Sequence, residues 1–145
     1  MRRRGKLLRW VLLGLAGLLL VVQLVPTDRS TPPVVSEVSA PGEVMTILRR
    51  ACYDCHSNET RWPWYARIAP LSWWMAAHVR DGRGDLNFSD WPTFDFELQE
   101  LAFRDIEEQI SKGEMPLRNY TILHRAARLS EADRELILGW ARSNY

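Results

Sequence analysis

Apolar positions follow three different rhythms along this chain. From Leu7 to Val25 they run almost continuously, and Trp10 to Val22 holds no polar side chain. From Thr27 to Pro41 three prolines stand among serines, threonines and valines with no helical period, the signature of an extended segment. From Pro41 onward apolar residues recur every three or four positions, the spacing of amphipathic helices.

That spacing predicts a helix over Pro41–His56, with Val44, Ile47, Leu48, Ala51, Cys52 and Cys55 on one face. An aromatic-rich loop over Asn58–Pro70 comes next, then a helix over Pro70–Val79 with Leu71, Trp74, Met75, His78 and Val79 on one side. Pro70 suits a first helical position, and Gly82 with Gly84 is expected to stop the helix. After a turn-rich connector, Leu86–Pro92, in which Ser89 or Asp90 is a candidate cap, a helix is predicted over Phe96–Lys112. Its expected inward residues are Leu98, Leu101, Ala102, Ile106 and Ile110, and Gly113 ends it. A short helical turn at Ile122, Leu123 and His124 precedes a last helix, opened by Ser130 with Asp133 three residues on, resembling a capping box. Leu136, Ile137 and Trp140 give that helix a stripe to pack on the first.

At 145 residues the chain has room for one compact domain and not two. The resulting organisation is a membrane segment over 1–26, a tether over 27–42 and a helical domain over 43–145. As a helix the 19 residues from Leu7 to Val25 span about 28 Å, close to the hydrocarbon thickness of a bilayer. Arg2, Arg3, Arg4, Lys6 and Arg9 are the basic flank that stays cytoplasmic, so the chain beyond Pro26 is expected outside the cytoplasm. Gln23-Leu24-Val25-Pro26 offers no small-x-small cleavage site, which favours an anchor over a removed signal. The remainder carries all 18 acidic residues against 14 of the 19 basic ones. A mildly acidic domain argues against a nucleic-acid partner.

The only two cysteines fall in Cys52-Tyr53-Asp54-Cys55-His56. On a helix Cys52, Cys55 and His56 project from one face, so two thiols can add to the vinyl groups of one haem while the imidazole reaches its iron. A bare disulfide leaves His56 without a task, a thioredoxin-like pair needs a βαβ setting, and zinc needs a further ligand cluster. His56, His78 and His124 are scattered. One covalent haem c is therefore expected, with Trp62, Trp64, Pro70, Trp74 and Tyr120 as pocket walls and Arg61 or Arg67 as candidates to pair a propionate. Met115 lies in a loop just after a helix and before a proline, a position from which a thioether can meet the iron opposite His56. His78 and His124 are the alternative distal ligands.

The chain resembles the c-type cytochromes, and more closely the small bacterial haem-binding domain family of membrane-anchored, single C-x-x-C-H proteins. The resemblance rests on 51–58 (ACYDCHSN), 61–65 (RWPWY), 69–73 (APLSW), 86–89 (LNFS), 113–116 (GEMP), and His124 with 127–130 (ARLS). It implies an all-α, cytochrome c-like domain around one covalent haem. Spacing and resemblance together make the Pro70 carbonyl, 14 residues beyond His56, a candidate acceptor for the other ring N–H of that histidine. The expected activity is one-electron transfer between redox partner proteins, after haem attachment by the cytochrome c maturation machinery. The competing expectations are a small-ligand sensor or a peroxidase-like enzyme with an open or displaceable sixth position.

Overall fold

A computed structural model describes residues 2–92 and 95–145. All regular structure among them is helical: α1 Arg2–Val22, α2 Gly42–Ala51, α3 Tyr53–His56, α4 Leu71–Asp85, α5 Phe96–Lys112, α6 Arg118–Leu123 and α7 Glu131–Arg142. The chain forms two compact units, one of residues up to Ser30 with Trp62–His78, the other of Thr31–Arg61 with Val79–Tyr145.

In the first unit, α1 carries an apolar span over Gly5–Val22 with mean hydropathy 1.9 and no residue of it buried in protein. By length and composition it is able to cross a membrane. Its carboxy end is tied to the loop before α4. Gln23 accepts the Ala69 N–H through Oε1 at 2.9 Å and donates through Nε2 to the Ala69 carbonyl at 3.2 Å.

The second unit packs α5 against α7, and α7 against α2. Val44, Ile47 and Leu48 from α2, Phe103, Ile106 and Ile110 from α5, and Ile137, Trp140 and Ala141 from α7 make the core. Arg50 on α2 pairs with Asp133 on α7 at 2.7 Å, and Arg134 donates to the Ile110 carbonyl at the carboxy end of α5. A chain of rings runs through this core from Tyr53 to Phe88, Trp91, Phe103 and Trp140, with successive centroids 5.4, 6.2, 5.1 and 5.2 Å apart.

The element ends follow local chemistry. The side chain of Asp95 caps α5 by accepting from the Leu98 N–H, a role expected of Ser89 or Asp90. Gly113 closes the helix in the left-handed conformation at φ 69°, which a residue without Cβ adopts at little cost. Ser130 and Asp133 form a reciprocal capping box at α7.

Four expectations need correction. Leu98 and Leu101 are half exposed, because the buried stripe of α5 passes through Phe103, Ile106 and Ile110, one position round the helix. Leu136 is also partly exposed, with Ile137, Trp140 and Ala141 taking the buried face of α7. The glycines do not stop α4, which runs through both to Asp85. The segment expected as a free tether is docked in its second half. The Val35 and Ser36 N–H groups donate to the Ser89 carbonyl, the Val38 N–H donates to that of Phe88, and the Val38 side chain is fully buried.

Candidate cofactor site

The C-x-x-C-H segment is not one continuous helix. At Cys52 the backbone turns to φ −122°, ψ −37°, separating α2 from the four-residue α3. Hydrogen bonds nevertheless bridge the break, from the Cys52 N–H to the Leu48 carbonyl and from the Cys55 and His56 N–H groups to the Cys52 carbonyl.

Both intervening residues have structural tasks. Tyr53 begins the ring chain and donates its hydroxyl to Glu37 Oε1 at 3.1 Å, while the Arg49 guanidinium lies over its ring at 4.8 Å. Asp54 accepts the Tyr120 hydroxyl at 2.6 Å and the Arg61 N–H at 3.0 Å. The motif, Arg61 in the loop after it and α6 are thus tied together.

The stretch after the motif interlocks with the one after α4. The Phe88 N–H donates to the His56 carbonyl at 2.8 Å, and the Asn58 N–H donates to Ser89 Oγ at 3.0 Å. Arg83 clamps the loop from α4, with Nε to the Ser57 carbonyl and a second nitrogen to the Thr60 hydroxyl. Gly82 lies close against the motif. A Cβ there would lie 2.9 Å from the Cys55 carbonyl oxygen and 3.2 Å from Cys55 Cβ. This is why a glycine stands inside the helix.

His56 Nδ1 lies 3.1 Å from the Leu86 carbonyl. The acceptor is therefore Leu86 and not Pro70, whose carbonyl takes the Trp73 and Trp74 N–H groups in the first turn of α4. With Nδ1 occupied, Nε2 is the ring nitrogen left for a ligand. Burial lowers the imidazole pKa, opposed by the Leu86 and Gly82 carbonyls, and so keeps the ring neutral and able to coordinate.

A cavity of about 370 Å³ opens beside this ring. Cys52, His56 and Met115 line it together with Leu48, Ile106, Ile110 and Ile137, and Asp85, Asp105 and Gln109 add polar groups. Residues more than fifty positions apart in sequence, Cys52 and His56 of the motif and Met115, therefore face one apolar space of ligand-pocket size, whereas Cys55 is not among its lining residues and has its Cβ toward Gly82. Burial pushes the Cys52 thiol up to about 12 and the Cys55 thiol to about 11, with Cys55 acting on the first and Asp54 on the second. Such thiols are protonated at neutral pH. Among the described residues no group of three or more His, Cys, Asp or Glu is gathered as a metal site.

The remaining candidates are not among the residues that line this cavity. Tyr120 is buried, but it serves Asp54 and stacks on His124 at 4.1 Å; neither ring lines the cavity. Trp62, Trp64, Pro70, Trp74 and His78 belong to the first unit and are not among the lining residues. His78 Nδ1 is engaged with the Trp74 carbonyl one helical turn back at 2.8 Å. The lining by Leu48, Ile106, Ile110 and Ile137 was present in the sequence as inward helical stripes, whereas the Leu86 carbonyl and Gly82 carry no local signal.

The family model described as haem-binding domain matches residues 17–143 of this chain. No curated protein and no solved structure matches it.

Proposed function

The chain belongs to the haem-binding domain family, and from that premise we propose that it is a membrane-anchored, monohaem c-type cytochrome carrying single electrons on the periplasmic side of a bacterial inner membrane. The observation that carries the proposal is the gathering of Cys52, His56 and Met115 on one apolar cavity, with Nδ1 of His56 held by the Leu86 carbonyl.

When bound, a haem supplies a one-electron ferric/ferrous couple. The thiols of Cys52 and Cys55 would hold it covalently, which would keep it in a compartment where a free haem diffuses away. His56 would ligate the iron through Nε2, its ring kept neutral by burial and oriented by its Nδ1–H donating to the Leu86 carbonyl. Met115 would supply a thioether as a second ligand to the iron. Leu48, Ile106, Ile110 and Ile137 give the space an apolar lining, and a ligand set supplied wholly by the protein would change little between redox states, which suits electron transfer. The exposed Asp85 and Asp105 carboxylates at the cavity favour a basic partner surface. α1 is the anchor, with Lys6 and Arg9 toward the cytoplasm. The redox partners are proteins, the cytochrome c maturation machinery supplies the haem, and no nucleic acid takes part.

The test is the absorption spectrum of the exported protein with and without Met115→Ala. A ferric far-red sulfur-to-iron band is expected in the parent, lost in that variant and retained in His78→Ala and His124→Ala. Persistence of the band in Met115→Ala refutes the distal assignment. Carbon monoxide binding to the reduced parent points instead to a sensor or peroxidase-like site with a displaceable ligand.

A further inference from the structure

The loop before α4 and the first residue of that helix divide their apolar side chains between two sides. Tyr65, Ala66 and Ala69 are buried, whereas Trp64 is 75% exposed, Ile68 47% and Leu71 45%. Singly exposed apolar groups are ordinary on a protein surface, and these three gain meaning from where the loop is held.

The loop is ordered. Trp64–Arg67 is a 3₁₀ turn, closed by the Ala66 N–H to the Pro63 carbonyl and the Ile68 N–H to that of Tyr65 at 3.0 Å each. The Trp64 indole is propped edge-on by the Tyr65 ring, with centroids 5.9 Å apart. The same loop is held at a defined place on α1. Gln23 is the first residue past the apolar span and grips Ala69, between Ile68 and Leu71, by both its N–H and its carbonyl. Arg29 adds a bond to the Ala66 carbonyl at 3.3 Å.

The occupant of this surface is set by the anchor. The 18 residues of Gly5–Val22 make a rod about 27 Å long, which fills the hydrocarbon layer and leaves Gln23 at its boundary. Whatever Gln23 holds lies at headgroup depth, where indole rings and aliphatic side chains partition with their polar ends toward water. The family match begins at residue 17, inside α1, and so takes in Gln23 together with the loop it holds.

We propose that Trp64, Ile68 and Leu71 form a second membrane contact, seated in the lipid headgroup region around the periplasmic end of α1. This rests on the reading of α1 as a membrane anchor. It gives the 61–65 (RWPWY) stretch a task different from the haem wall expected of it, that of setting the depth and tilt at which the loop leaves the bilayer.

The test uses the full-length, haem-loaded chain in phosphatidylcholine nanodiscs, labelled with 5-fluorotryptophan and reduced. Fluorine resonances of Trp10 and Trp64 are assigned with Trp10→Phe and Trp64→Phe. Relaxation is then compared with a headgroup nitroxide lipid and with a water-soluble gadolinium chelate. The Trp64 line is expected to be lost with the nitroxide lipid and spared by the chelate. A Trp64 line broadened by the chelate and spared by the lipid, with Trp10 still shielded from the chelate, overturns the contact and leaves the anchor standing. A Trp10 line broadened by the chelate overturns the anchor, and the contact with it.

Discussion

Gly82 and Gly84 stand two residues apart in α4, and the structure gives their replacement by alanine opposite signs. Within a helix alanine is favoured over glycine by about 1 kcal/mol. At Gly84 nothing lies within 4 Å of the added Cβ, so that gain is collected whole. At Gly82 the new carbon meets the Cys55 carbonyl oxygen at 2.9 Å and the Cys55 carbonyl carbon at 3.2 Å. These are backbone atoms of the motif, held by the Cys52, Ser57 and Phe88 bonds, and they do not swing aside as a flexible side chain does. Overpacking of this kind costs roughly 1–3 kcal/mol, which offsets the propensity gain and leaves Gly82→Ala destabilised by up to about 2 kcal/mol. The two variants are then separated by roughly 1–3 kcal/mol, or on the order of 5–10 °C in midpoint temperature for a domain of this size. Thermal unfolding of the detergent-solubilised chain, followed by circular dichroism, measures the difference. Haem retention on a denaturing gel is expected to fall in Gly82→Ala alone, because the overlap pushes on the attachment segment. Equal stabilisation by both substitutions refutes the close packing of α4 on Cys55.

Two more contacts give measurable outcomes. Tyr120→Phe removes a 2.6 Å bond to the Asp54 carboxylate and is expected to cost about 1–2 kcal/mol; a double-mutant cycle with Asp54→Asn measured by denaturant unfolding should recover most of that as coupling. Asp133 is held at about 2, against 3.8, by the Ser130 N–H, the Arg50 guanidinium and the Ser130 hydroxyl. Its folded pKa is depressed, so its stabilisation is full above pH 3.8 and is lost as the pH falls from there toward 2. Allowing for solvent screening it amounts to about 1 kcal/mol, and Asp133→Asn should flatten that limb of the stability-against-pH curve. An unchanged limb shows that the capping box and the Arg50 pair contribute nothing at low pH.

The parts of the fold governed by local chemistry are legible in the sequence. The pattern predicts a helix over Phe96–Lys112, and α5 has those bounds, because a left-handed glycine and an apolar stripe mark its end and its face. The Ser130–Asp133 box opening α7 is legible for the same reason. The candidate cofactor residues are conspicuous because the only two cysteines share one short motif. The illegible parts depend on contacts between distant segments. Gly82 looks like a helix stop until the Cys55 backbone is seen against it. The extended segment around Val38 has no period to betray that it docks along residues 88–91. The Leu86 carbonyl, being backbone, has no residue identity to signal that it receives His56. Tryptophans are equally suited to a haem wall, a core or a membrane surface, so their number does not distinguish Trp91, which is buried in the ring chain, from Trp64, which is exposed.

The central claim is a thioether-linked haem on Cys52 and Cys55, and the intact mass of the denatured chain tests it most directly. Produced with working cytochrome c maturation, the parent should be heavier than its amino acids by one haem, and a Cys52→Ala, Cys55→Ala double variant should carry none. A parent chain with the bare polypeptide mass under those conditions contradicts the account.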